Sequence, residues 1–350
     1  MNKYYLEKAA GILSTPLYYS QLHLLTKPIY GGMGHILMFH RVLPVSEKLR
    51  IHNHKSLEIS PDRLEGIIEF FKKRNYDFIS LDDLVALKNS PSKKSERKFV
   101  VFTFDDGYVD NYLYAYPIFR KYHVPFTIYV ATNLPDSTAT LWWYLLEDIV
   151  VKRTSLRVDV EGTEMTFRTE TVKEKEMVFN KIRNWLAVAD EKSLSTLLSS
   201  LFRGSEDEIA AKTKELSLTW QQIQELSQDS LVTIGSHTVN HFPLNSLTAE
   251  KSTYEILESK KIIESQIARE VKHFCYPLGS YGTKEIEILG KTSYATATTI
   301  KMANIFAENL QHPLALPRIM INTLTTDKIL SLQVNGFLPA LRNKFKRVVI

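Results

Sequence analysis

Residues 99–111, FVVFTFDDGYVDN, pass from a short apolar run directly into two adjacent carboxylates and a glycine. A run this rich in Val and Phe predicts a strand buried on both faces, as in parallel sheets covered by helices. Similar runs recur as HILMFHRV from 35, PFTIYVAT from 125, LVTIGS from 231, VKHFCYP from 271 and LALPRIMI from 314. Helical patterns lie between them. In 60–74, Ser60 supplies an N-cap, Pro61 a first-turn proline, and Leu64, Ile67, Ile68 and Phe71 one apolar face. The stretch 248–268 repeats this design with Thr248 as the cap. Alternation of strand and helix over most of the chain predicts an α/β fold with a largely parallel sheet, open or closed into a barrel.

One region breaks the rhythm. Residues 138–220 carry an LWWYLLED cluster, a hairpin pattern about Glu161 and Gly162, and charged helical stretches near 173–188 and 191–202. They are expected to form an inserted helical and hairpin subdomain beside the barrel. The chain then divides into an N-terminal extension (1–34), a barrel (35–137 and 221–325), the insertion (138–220) and a basic amphipathic C-terminal segment (326–350).

The composition narrows the chemistry. Of 350 residues 44% are apolar, enough for a large core, and 44 basic against 39 acidic residues give +5, too weak a bias to argue for nucleic acid. Cys275 is the single cysteine, which excludes an intrachain disulfide and a multi-thiolate metal site. Any metal must therefore take His and carboxylate ligands, and Cys275, with no adjacent base, reads as packing. Polar residues interrupt 9–26, so the reading here is an uncleaved, cytoplasmic protein. The C-terminal GFLPALRNKFKRVVI, 336–350, reads either as a solvated helix or as a peripheral contact with the inner face of an anionic membrane.

In a parallel sheet, ligands gather at the C-terminal ends of the strands. Asp105 and Asp106 stand at such an end. Neighbours on a strand point to opposite sides, but past its end both can turn into one pocket, with Gly107 permitting the turn. The competing reading is that they cap a helix starting near Tyr108. In IGSHTVNHFPL, 234–244, His237 and His241 are four apart, the spacing of one face of a helical turn, and with Asp106 they offer an Asp/His/His metal site.

TFDDG at 103–107 followed by SHTVNH at 236–241 resembles the NodB-homology polysaccharide deacetylases, carbohydrate esterase family 4. LMFHRV at 37–42 resembles the N-terminal motif of the branch that includes poly-N-acetylglucosamine deacetylases. The resemblance implies a distorted, incomplete (β/α) barrel. It implies that Asp106, His237 and His241 bind a divalent metal, most often Zn2+, with Co2+, Ni2+ or Mn2+ open, and that Asp105 is the general base. His40 becomes the candidate general acid, with an ordinary pKa near 6.5 suited to the role, since no histidine follows His312. The family's third motif, Arg-x-Pro-Tyr-Gly or similar, is here FCYPLG at 274–279, with Cys275 in the arginine position and Leu278 in the aromatic one. Pro277 and Gly279 match, which implies a retained loop and the Leu278 N–H as oxyanion donor. Arg318 is the candidate replacement tether for Asp105. Tyr108, Tyr276, Pro277 and Gly279 are the implied substrate contacts. Trp142, Trp143 and Tyr144 read as core rather than as a sugar platform.

The activity implied is metal-dependent removal of N-acetyl groups from a hexosamine-containing glycan or glycolipid precursor in cell-surface polysaccharide or lipopolysaccharide assembly. Two alternatives stay open: a degenerate domain that binds carbohydrate without hydrolysis, and an esterase or amidase for another acyl group.

Overall fold

A computed structural model describes residues 14–46, 48–89, 97–138, 141–160, 162–188, 191–202 and 206–349. The first 13 residues of the expected N-terminal extension, and Glu161 at the expected hairpin tip, lie outside them. Eight strands form one sheet: β1 Gly34–Phe39, β2 Asp77–Phe78, β3 Phe99–Phe104, β4 Phe126–Val130, β5 Val232–Ser236, β6 His273–Cys275, β7 Thr296–Thr298 and β8 Ile319–Met320. Their order is β7-β6-β5-β4-β3-β1-β8, with β2 also beside β3, and every pairing is parallel. A single bridge, Thr298 to Leu316, lies where the ring would close, so the sheet curls into an incomplete α/β barrel.

Alternation along each strand sorts side chains between two layers. Val100, Phe102 and Phe104 of β3 face outward with Leu37, Phe39, Ile128 and Phe274, against helices such as α1, Pro61–Lys72. Phe99 and Val101 face inward with Ile36, Tyr129, Cys275 and Leu316. Continued by two residues, the inward parity of β3 delivers Thr103 and then Asp105 to the barrel mouth. Gly235 serves the same interior, because a Cβ there would fall 2.5 Å from the Tyr129 ring. The two- and three-residue strands β2 and β7 escape the sequence reading because so few residues show no period.

The break in rhythm corresponds to α2 Trp142–Lys152, a hairpin of Ser155–Val160 with Thr163–Arg168, α3 Val172–Val188, α4 Glu191–Phe202 and α5 Glu206–Leu216. These share their own apolar cluster, including Leu146, Val150, Phe179, Ile182 and Leu201. The buried Lys175 amine donates to the carbonyls of Val150, Val151 and Arg153, satisfying the C-terminus of α2. α2 is joined to the barrel through Glu147. Its carboxylate accepts from Arg50 Nε at 2.7 Å, the Ile51 N–H at 2.7 Å and His54 Nδ1 at 2.8 Å. At the C-terminus, α6 Ala249–Ile267 having packed behind the sheet, α7 Asp327–Val334 sinks Leu330 and Val334 into the main core and α8 Phe337–Arg342 follows it. The segment is thus half docked, not a free solvated helix.

Burial pushes the Glu147 carboxyl up, but the bonds from His54 and Arg50 outweigh it and bring it down to about 2. A depressed carboxyl stabilises the fold above its unfolded value, near 4.5, and that contribution is lost as pH falls toward 2. Glu147→Gln is therefore expected to cost about 3 kcal/mol in urea unfolding at pH 7, with the gap to wild type closing as pH falls below 4.5. A gap unchanged between pH 7 and pH 3 would refute this coupling.

Candidate active site

The inward parity of β3 brings Asp105, 3% exposed, under the barrel mouth, where Arg318 holds it. Arg318 Nη1 donates to Asp105 Oδ1 at 2.6 Å and Nη2 to Oδ2 at 2.7 Å, a planar two-point grip. Its remaining donors reach the Thr299 carbonyl (2.9 Å), Thr103 Oγ1 (3.1 Å) and Cys275 Sγ (3.1 Å). Burial alone would raise the Asp105 pKa, but the guanidinium outweighs it and holds the carboxyl below its ordinary value. Arg318 sits just ahead of β8, opposite in parity to the outward Ile319.

Strict alternation would send Asp106 to the outer layer. Instead it adopts φ 75 and Gly107 φ 77, and this left-handed pair turns the second carboxylate back toward the mouth. A one-turn helix cap does not account for the pair, since both carboxylates are engaged inside the mouth. Asp106 Oδ1 lies 3.3 Å from His237 Nε2 and 3.2 Å from His241 Nε2. The His237–His241 spacing works differently from the helical turn expected: the segment is a loop with Thr238 at φ 69 and His241 at φ 57. The Thr238 hydroxyl accepts the His241 N–H at 3.0 Å.

These three residues fit a divalent cation. Their donor atoms lie within 4.8 Å of one another, one carboxylate oxygen and two imidazole nitrogens, with Asp106 and His237 buried and His241 partly so. His237 Nδ1 contacts the Cys275 carbonyl at 2.8 Å, which favours the tautomer with its proton on Nδ1 and leaves the Nε2 lone pair facing the cluster. Asp105, His237 and Cys275 also lie together, but Arg318 already occupies that carboxylate and thiol, so the Asp106 cluster is the better cation site.

His40 follows β1 with the inward parity of Ile36, and its Nδ1 is buried without a hydrogen-bond partner. Burial lowers its pKa, against the attraction of Asp106 and Asp105, so the ordinary value expected for an acid is corrected downward. Leu278 sits in a left-handed turn, φ 55, between Pro277 and Gly279, with its side chain 43% exposed.

Other expected contacts differ. Tyr276 shares the outward parity of Phe274; its ring is buried in the core, stacked on Tyr281, and its hydroxyl donates to the Leu314 carbonyl. It presents nothing to a substrate, and Pro277 beside it is buried too. Gly279, φ 65, packs against Ile300 and shapes the turn through its backbone. Tyr108 is 2% exposed; its hydroxyl accepts from Trp143 Nε1 at 3.1 Å, and Arg41 lies 4.9 Å over its ring. It builds the wall behind Asp106 instead of touching solvent.

Three features were not legible beforehand. Glu255, buried on α6, accepts the N–H groups of Val239 and Asn240 at 2.9 and 2.8 Å and so fixes the histidine loop. Trp143, from the insertion, lies 5.3 Å from the His241 ring, so part of the aromatic cluster read as core walls the site. Cys275 supplies a carbonyl to His237 and a thiol to Arg318, more than packing.

A family model for polysaccharide deacetylase matches residues 92–297. YxkH of Bacillus subtilis, named by inference a polysaccharide deacetylase, is 22% identical over 257 residues, covering 73% of this chain; the chain spans 64% of that relative's length. Among solved structures, the Streptococcus pyogenes deacetylase PplD in complex with acetate superposes with a TM-score of 0.57 at 20% identity, over 86% of this chain and 97% of that one. A de-N-acetylase from Aggregatibacter actinomycetemcomitans gives 0.55 at 16%, over 86% and 99%. At these identities the two structures carry the fold.

Removing one partner of a buried ion pair leaves the other charge stranded, at a cost of about 3–5 kcal/mol. Arg318→Met should lose that much in chemical unfolding, whereas Asp105→Asn combined with Arg318→Met should lose markedly less; additive losses around the cycle would refute the pairing. Glu255→Gln, which weakens the loop but spares every cluster donor, is expected to lower Zn2+ affinity roughly 10- to 100-fold by calorimetry.

Proposed function

The chain belongs to the polysaccharide deacetylase family, and on that premise we propose that it hydrolyses N-acetyl groups from a hexosamine-containing glycan or glycolipid precursor, as a step in cell-surface polysaccharide or lipopolysaccharide assembly. The observation that carries this reading is the division of labour between neighbours: Asp106 joins His237 and His241, while Asp105 stays outside that cluster in the two-point grip of Arg318. A protein that only binds glycan has no use for a second carboxylate kept ionised and aimed. The de-N-acetylase neighbour supports an amide as the bond cut.

Asp106, His237 and His241 would hold the cation, Zn2+ being suited to a set of two imidazoles and a carboxylate; bound there, it would acidify a water and polarise the acetyl carbonyl. Asp105 accepts one proton from the attacking water, its orientation fixed by Arg318. The Leu278 N–H is assigned to the oxyanion that develops as the carbonyl carbon becomes tetrahedral. When the C–N bond breaks, the nitrogen needs a proton. His40, held neutral by burial, passes on the one that Asp105 has taken, leaving acetate and a free amine. Trp143 and Tyr108 close the side next to His241, excluding water.

The test is acetate release from N-acetylglucosamine oligomers by Zn2+-loaded protein, beside Asp105→Asn and a chelator-treated sample. Wild type should exceed Asp105→Asn by roughly 10²- to 10⁴-fold, and chelation should abolish turnover until Zn2+ is returned. Equal acetate from wild type and variant across a broad glycan panel, with binding retained, would make the protein a carbohydrate binder. Release from O-acetyl esters alone would make it an esterase.

A further inference from the structure

The N-terminal ends of the strands, opposite the carboxylate cluster, carry features that deacetylation does not use. A tight turn Leu22–Thr26 and a short helix Lys27–Tyr30 lead into β1, and the C-terminal segment packs on them. Tyr30 Oη donates to the Phe345 carbonyl at 2.7 Å, Arg347 Nε to the Ile29 carbonyl at 3.0 Å, and Thr26 Oγ1 to the Asn335 carbonyl at 3.2 Å. The two ends of the chain thus share one surface, and they leave large apolar side chains out on it. Leu22 is 55% exposed, Leu25 73%, Ile29 52%, Leu341 55% and Phe345 59%. Lys27, Arg342, Lys344 and Lys346 are exposed among them. No Asp or Glu occurs in 14–34 or 328–350, and Glu308 lies 3.6 Å from Arg347. Leu, Ile and Phe exposed this densely within a basic field are unfavourable in water and suited to a bilayer interface.

Beside the turn opens a cavity of about 630 Å³ whose wall, among the described residues, includes Lys27, Arg74, Arg97 and Lys98 and no carboxylate. Lys98 donates to the Gly31 carbonyl at 2.8 Å, Arg74 to the Phe70 carbonyl at 3.0 Å, and Arg97 reaches the exposed Asp77 at 3.8 Å. His23 also lines the cavity at 3% exposure, and its Nδ1 has no hydrogen-bond partner. Burial, and after it the nearby Lys27, push the Lys98 amine down to about 8. A phosphate oxygen would accept from the lysines and from a His23 ring N–H at once.

We propose that this face docks the protein on an anionic lipid bilayer, with the apolar side chains in the interface and a lipid phosphate in the basic cavity. The six-residue β1 and β3 separate this end from the site by about 20 Å, so the docked protein turns its mouth away from the lipid, toward a glycan projecting from the surface or arriving from solution.

Flotation of the full chain with phosphatidylcholine vesicles, with and without phosphatidylglycerol, tests this. Binding is expected only with phosphatidylglycerol and should weaken as salt rises. Lys27→Glu with Lys344→Glu and Lys346→Glu should lower partitioning roughly a hundredfold, and Leu22→Asp with Leu25→Asp roughly tenfold, both with the thermal midpoint unchanged. Absent or equal binding to the two vesicle types overturns the proposal. So does vesicle binding unaffected by either variant, or saturable binding of inorganic phosphate without vesicle partitioning. A concentration-dependent dimer that Leu22→Asp with Leu25→Asp dissolves, with no vesicle binding, would assign the face to a second copy.

Discussion

The Arg318–Asp105 pair is the constraint around which the rest of the barrel mouth is arranged. A carboxylate buried under the rim of a sheet is costly unless a partner of opposite charge meets it with matched geometry. Arg318 is 1% exposed, and its three nitrogens are shared among Asp105, Thr103, Cys275 and the Thr299 carbonyl. It therefore links β3, the end of β6, the residue after β7 and the approach to β8. A sheet that does not close by continuous strand pairing is joined across its gap by this guanidinium together with the Thr298–Leu316 bridge.

That pair also explains how two adjacent carboxylates coexist. Asp105 continues the inward alternation of β3 and finds its charge already balanced. Asp106 would fall on the outer side, and the left-handed backbone at Asp106 and Gly107 returns it to the mouth on a separate set of partners, His237 and His241. Each carboxylate thus has its own set of partners, a guanidinium for Asp105 and, for Asp106, an imidazole cluster that would hold a cation. The repulsion between them is answered by division, not by protonation of one as in a shared-proton dyad.

Much of this was legible in the chain. FVVFTF, the capped helix after Ser60 and the hairpin pattern around Gly162 each combine a strong period with turn chemistry, and they gave the α/β architecture. The motif residues Asp105, Asp106, His237 and His241 each had a bland alternative, a helix cap or a chance histidine pair, and stood out because TFDDG and SHTVNH together resemble one family. Arg318 was found by seeking a replacement for the position that Cys275 now fills, and the structure places its guanidinium against Asp105. Tyr276 was misjudged because motif position was weighed above parity: it stands two residues after the outward Phe274, and the same alternation that favoured Asp105 should have excluded it. Glu255 and Trp143 were missed for a different reason. Each acts on a residue far off in sequence, and no local period marks a helix side chain that reaches across to another loop.

The loops that hold the site contain four non-glycine residues with positive φ: Asp106, Thr238, His241 and Leu278. Each such residue costs about 1 kcal/mol or more relative to glycine in the same conformation. They cluster where His241 must face Asp106 and where Leu278 must present its backbone. A laboratory selection for heat resistance alone would therefore find some of its cheapest gains in these loops, where glycine relieves the backbone and, at Asp106, Thr238 and His241, erases a functional side chain. Survivors of such a selection would tend to be sturdier and less able, unless turnover were scored alongside survival.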